Sequence, residues 1–193
     1  PSVIAGLPVT RIGDNAFEGR RELTGVLTIP DSVVSIGRQA FQGCVHLTGL
    51  TLGGGVRDIQ LGAFAECPGL SGKLVIPDNV TEIGEAAFTY CSGLTGLTLG
   101  KSVTEIGALT FAYCSGLIEN LSIPDGVHTI PPGLFEGCEN LSSVMIGSGV
   151  TQVDEKSFAE CPKLTGVCFK GAAPGVHPLT FGGTSATVCY VAG

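Results

Sequence analysis

Cysteine, histidine, carboxylate and phenol groups are the side chains here that could carry chemistry, and their spacing limits what each could do. Eight cysteines occur in 193 residues. Six of them, Cys44, Cys67, Cys91, Cys114, Cys138 and Cys161, recur every 23 or 24 residues. A zinc site needs clustered Cys-x-x-Cys-type ligands that converge on one point, and no such cluster is present. One cysteine per repeat reads instead as a buried column of small apolar side chains. Cys168 and Cys189 stand apart, in the matching segments Val167-Cys168-Phe169 and Val188-Cys189-Tyr190. Strand alternation puts the valines and aromatics inside and both sulfurs outside. The separation of 21 residues is close to one repeat, and neighbouring strands bring Cα atoms within disulfide range. The pair is read first as two neighbouring free thiols and second as a bridge that pins the last rung.

His46, His128 and His177 fall at different repeat positions, two or more rungs apart. No Ser/His/Asp or Cys/His set therefore comes within hydrogen-bond reach, and the histidines are expected at the surface. Gly53-Gly54-Gly55 lacks the Lys-Ser/Thr of a phosphate loop and reads as a turn. Three Asn-x-Ser/Thr sequons, at Asn79, Asn120 and Asn140, matter only in a eukaryotic host. No catalytic residue, metal or cofactor is expected. Asp58, Glu82 and Glu105 occupy one position on three consecutive rungs. Like charges about 5 Å apart repel unless splayed, screened or bridged. They are expected as splayed, solvated carboxylates. A bridging cation such as calcium is the lesser alternative, since it would want six or more oxygens. Tyr90 and Tyr113 stand just before their cysteines on adjacent rungs, where other units carry Gly19, Gly43, Glu66, Gly137 and Glu160. That variability points to an exposed position. Stacked phenols make an amphipathic patch suited to a protein or sugar ligand, although plain rung-to-rung stacking would also account for them.

The elements that place these groups follow from one repeat. Phe17, Phe41, Phe64, Phe88, Phe111, Phe135, Phe158 and Phe181 are separated by 24, 23, 24, 23, 24, 23 and 23 residues. An Ile or Val recurs five residues before the Phe, from Ile12 to Val153, and a Leu six after, from Leu23 to Leu164. No unit can bury its apolar residues alone, so the units must stack as a solenoid. Leu47-Thr48-Gly49-Leu50-Thr51-Leu52 has strand alternation, and one short parallel strand per unit is expected. The Phe segments suit one helical or 3-10 turn. Longer units end their strand in Ile-Pro-Asp, as at Ile29-Pro30-Asp31, and shorter ones end it in glycine. The extra residue lies between the first Leu and the strand, where a bulge should absorb it. Duplication of a two-rung block of about 47 residues fits this alternation. Eight rungs about 4.8 Å apart make a sheet roughly 35 to 40 Å long.

Solenoids commonly bind on the sheet face. Its outward residues are expected to be Thr28, Thr51, Val75, Thr98, Ser122, Met145 and Cys168. A second column runs through Val26, Gly49, Lys73, Gly96, Asn120, Ser143 and Gly166. This face reads as small, neutral and nearly free of charge or aromatics. It predicts weak, avid or backbone-like binding, or none, since tight ligands need aromatic or Arg anchors.

Composition narrows the classes further. Thirty glycines without a three-residue period exclude collagen and predict many tight turns. A net charge of −7 disfavours nucleic acid and anionic membranes. No apolar run approaches the roughly 20 residues of a membrane span. The opening Pro1-Ser2-Val3-Ile4, without a start Met or a signal-like segment, reads as a processed or trimmed piece.

The pattern Ile-Pro-Asp-x-Val-x-x-Ile-Gly-x-x-Ala-Phe-x-x-Cys-x-x-Leu resembles the BspA-like class of leucine-rich repeats. Residues 6–17 look like that family's opening unit, and Val167 through Tyr190 like its closing unit. The resemblance implies a right-handed, β-rich leucine-rich-repeat solenoid of the α/β class. One domain over residues 1–193 is expected, with seven clear units and atypical end rungs. It also implies a secreted or cell-surface, non-catalytic adhesion module that engages protein or glycan on a host or bacterial surface. The chain is expected to be a monomer that does not insert into the membrane. The alternative is a passive spacer that presents another domain.

Overall fold

The structure, a computed structural model, describes residues 3–4, 6–118 and 120–191. It is a stack of parallel rungs. Each rung carries two strands, where one was expected. The longer strands are Gly25–Thr28, Leu47–Thr51, Gly72–Val75, Leu94–Thr98, Leu121–Ser122, Ser143–Ile146, Gly166–Phe169 and Thr187–Tyr190. A second ladder is built from two-residue strands such as Ser35–Ile36, Asp58–Ile59 and Glu82–Ile83, in which Ile faces the core. At the N-terminus Val3–Ile4 pairs antiparallel with Leu7–Pro8.

The core is one continuous cluster of like side chains stacked rung on rung. Phe64, Phe88, Phe111, Phe135 and Phe158 are fully buried. The eight Phe rings of the repeat form one parallel stack with centroids 5.0 to 5.9 Å apart.

The Phe segments are not helical, which corrects the expected helical or 3-10 turn. In the first seven units two residues, two before and two after the Phe, adopt left-handed φ: Gln39 at 52° and Gly43 at 71° flank Phe41, and Ala86 at 53° and Tyr90 at 59° flank Phe88. A helix cannot propagate through such residues. Their N–H groups point to the next rung instead. Gln39, Phe41 and Gly43 donate to the carbonyls of Leu61, Ala63 and Ala65 at 2.8 to 2.9 Å. The residues between them donate three positions back, as Gln42 does to Gln39 at 3.2 Å.

The long-strand sheet is interrupted between Leu47–Thr51 and Gly72–Val75, and again between Leu94–Thr98 and Leu121–Ser122. Both breaks fall where a longer unit follows a shorter one. Within a block the extra residue is absorbed as expected, by register shifts at Gly25/Val26 and Leu94/Gly96, with Gly25 and Gly72 at left-handed φ. The short-strand ladder breaks once, between Glu105–Ile106 and Thr129–Ile130. Gly37, Gly84, Gly107 and Asp154 each donate an N–H to the preceding rung's Ile, for example Gly107 to Ile83 at 2.8 Å. At the same position of the interrupted rung stands Pro131, which has no N–H to give Ile106. The long-strand ladder is therefore open between the Phe88 and Phe111 units, and the short-strand ladder between the Phe111 and Phe135 units.

Candidate functional site

The six repeat cysteines lie in the core as free thiols. Each Sγ donates to the carbonyl of the preceding rung's Phe, from Cys44 to Phe17 at 3.1 Å through Cys161 to Phe135 at 3.1 Å. Burial pushes these thiols up, to about 12 for Cys67 and Cys161, and so away from the reactive thiolate. Cys168 and Cys189 sit opposite one another on paired strands, as the alternation required. They are bridged, with Cα atoms 4.5 Å apart. This corrects the first reading of two free thiols and selects the second.

The histidines are spent on local backbone contacts. His46 Nδ1 lies 2.7 Å from the Arg21 carbonyl and His128 Nδ1 lies 3.1 Å from the Gly149 carbonyl. His177 Nδ1 accepts from the Leu179 N–H at 3.2 Å. The Gly53-Gly54-Gly55 segment is a turn pressed on the previous rung: a Cβ at Gly53 would lie 2.5 Å from the Pro30 carbonyl carbon. The Pro-Asp motif has a matching duty. Asp31, Asp78 and Asp125 accept N–H bonds from Gly54, Lys101 and Ser148 on the next rung at 2.8 to 3.0 Å. Ser148's N–H, with Lys170 contributing, holds the Asp125 carboxyl below its ordinary value.

Asp58, Glu82 and Glu105 are in register on three adjacent rungs. Asp58 accepts from the Ser35 hydroxyl at 2.7 Å and from Gln60 at 3.2 Å. Among the described residues no group of three or more His, Cys, Asp or Glu is arranged to hold a metal ion. No helix among them is long and apolar enough to cross a membrane.

The tyrosine pair is the most developed surface feature. Tyr90 and Tyr113 stack face to face, centroids 4.7 Å apart and planes within 6°. The far side of Tyr113 lies on Gly137, where a Cβ would come within 2.5 Å of its ring. Tyr113 is thus sandwiched, and partial burial, with Glu136 and Tyr90 nearby, raises its phenol above the ordinary value. Tyr90 is 51% exposed. Its outer face borders an open depression lined by Val45, Glu66, Pro68 and Ser92. Both tyrosines hold left-handed φ, 59° and 58°. The same position is Gly19, Gly43, Gly137 and Gly183 in four other units and Glu66 and Glu160 in two more, all at positive φ. A bulky side chain there costs about 1–2 kcal/mol relative to glycine. Sequence spacing located the pair but not this strain. The glycines in the same column were the available signal.

The sheet-face columns take the expected register. Thr28 pairs with Thr51, Val75 with Thr98, and Ser122 with Met145 and then Cys168. Thr51, Val75, Thr98 and Ser122 are exposed and Met145 is half-buried. The face is less neutral than the strand residues alone imply. Lys101 and Lys170, from the turns that follow the strands, join Lys73 around a depression at the second sheet break.

The comparisons with known proteins agree with this geometry. The BspA type leucine rich repeat region matches residues 4–117 and 63–186, in six copies. A leucine-rich repeat protein of T. pallidum, TpLRR, is 36% identical, with 85% of this chain and 75% of that one covered and a TM-score of 0.77. One from Bacteroides ovatus is 24% identical at a TM-score of 0.69, with 91% of this chain and 58% of that one covered, and shows the shared fold. The pneumococcal vaccine antigen PcpA shares the fold at 21% identity and a TM-score of 0.57, with 86% of this chain and 44% of that one covered. No curated protein matches the sequence. The chain belongs to the BspA type leucine-rich repeat family.

Proposed function

We propose that this chain is a non-catalytic binding module, displayed outside the cell or on its surface, that engages a protein or glycan of a host or bacterial surface. It works as one solenoid domain over residues 1–193 and as a monomer, without entering the membrane. The observation that carries the reading is the Tyr90 face. An exposed aromatic ring held flat by a stacked partner has lost much of the freedom that binding would otherwise cost. The Cys168–Cys189 bridge supports an oxidising, extracellular setting. Thr51, Val75, Thr98, Ser122 and Met145 supply a second, weaker contact surface on the sheet.

The passive-spacer reading draws on the small side chains of that sheet face. A screen of the purified chain against surface proteins and glycans separates the two. The binding reading predicts a partner at micromolar affinity or better. The absence of any partner across the screen would overturn it in favour of the spacer.

A further inference from the structure

The second break in the long-strand sheet opens a depression of about 330 Å³ at the ends of the strands. It lies where Leu121–Ser122 and Leu94–Thr98 are not paired as neighbouring strands. Three lysines, Lys73, Lys101 and Lys170, and one carboxylate, Asp125, line it. The lysines are three of only five in a chain of net charge −7, drawn from three different rungs to one place. Lys101 and Lys170 are held by Asp78 at 3.6 Å and Asp125 at 4.0 Å. Such exposed pairs are worth little, so both ammonium groups can turn to a ligand at small cost. Between them lie neutral hydrogen-bonding groups, Thr98, Asn120 and Ser122, over an apolar floor that includes Leu99 and Ile123. Asn120 Oδ1 accepts from the Ser143 hydroxyl, which leaves its NH2 to donate outward.

We infer that this seam is a subsite for a carboxylated sugar, a uronic-acid unit of a glycan. The ammonium groups meet the carboxylate. The amide and hydroxyls match the ring hydroxyls, and the apolar floor takes the C–H face. A volume near the lower end of small-molecule pockets suits a single sugar ring. The site is separate from the tyrosine ledge, which lies beside the Phe turns, so either can fail without the other.

The test is an NMR titration of the labelled chain with methyl glucuronide, methyl glucoside and a short poly-glutamate peptide. The glucuronide should shift the amides of Thr98, Lys101, Asn120, Ser122 and Lys170, with a Kd in the millimolar range expected of one sugar unit on an open site. The glucoside should leave them unmoved. Lys101→Ala/Lys170→Ala should weaken glucuronide binding about tenfold or more at unchanged melting temperature, and Tyr90→Ala should leave it intact. Raised salt should also weaken it. The inference is overturned if glucoside and glucuronide act alike, if the double lysine variant binds as the parent does, if only the peptide binds, or if no ligand shifts these amides.

Discussion

Each core residue sees nearly the same neighbours above and below, so one substitution reports on a whole column. Phe88 has no exposure and lies between Phe64 and Phe111, with centroids 5.3 and 5.6 Å away. Phe88→Ala should cost about 3–5 kcal/mol and lower the melting temperature by about 10 °C. An unchanged melting temperature would mean that the register is wrong. The thiol column gives a second residue-scale prediction. An unfolded thiol ionises near its ordinary value of 9.0, whereas folded Cys67 and Cys161 are held up to about 12. The folded state keeps protons that the unfolded chain releases. This contribution is fully present below about pH 9 and is lost as pH rises toward the folded value, at about 1.4 kcal/mol per pH unit for each such thiol. Urea midpoints should therefore fall between about pH 9 and 10.5, and less steeply in a Cys67→Ala variant. Equal slopes in the two proteins would contradict it. The Phe, Ile, Leu and Cys columns were legible because one repeat position meets one environment. The thiol-to-carbonyl bonds were not, since a small apolar residue and a weak donor look alike in sequence.

Elements were legible where a pattern alternates and illegible where backbone handedness decides. The long strands followed from period-2 alternation, and the bulges from the extra residue of the longer units. The short Ile strands are two residues long, too short to alternate. The Phe segments looked helical because left-handed residues at Gln39, Ala86 and Leu109 are not glycine. Pro131 could have announced the broken ladder, as a missing donor in a position filled elsewhere by Gly37, Gly84 and Gly107. The closing strands carry the element-scale prediction. The Cys168–Cys189 bridge closes a 21-residue segment that holds the last rung. Alkylation of the denatured, unreduced chain should modify six cysteines and leave this pair unmodified; eight modified residues would exclude the bridge. Reduction should then destabilise the terminal rung by about 3 kcal/mol, read as an earlier loss of structure in thermal melts.

At the scale of the whole molecule, spacing gave a sheet of the right direction and column order but not its interruptions. Those depend on how two unit lengths stack, which no single unit shows. For the same reason the sheet face read as neutral, while three lysines from three rungs meet at one seam. The stack otherwise spends its reactive groups on itself: thiols on carbonyls, histidines on turns, the Pro-Asp carboxylates on the next rung. The surface feature that carries the binding reading is the outer face of Tyr90, backed by Tyr113 and Gly137. The most direct test of this account takes a partner found by screening and titrates it into the parent chain and into Tyr90→Ala by calorimetry, with melting temperatures recorded alongside. The account predicts that the variant melts as the parent does and binds at least about tenfold more weakly, a loss of about 1.4 kcal/mol. Equal affinity at equal stability would contradict it.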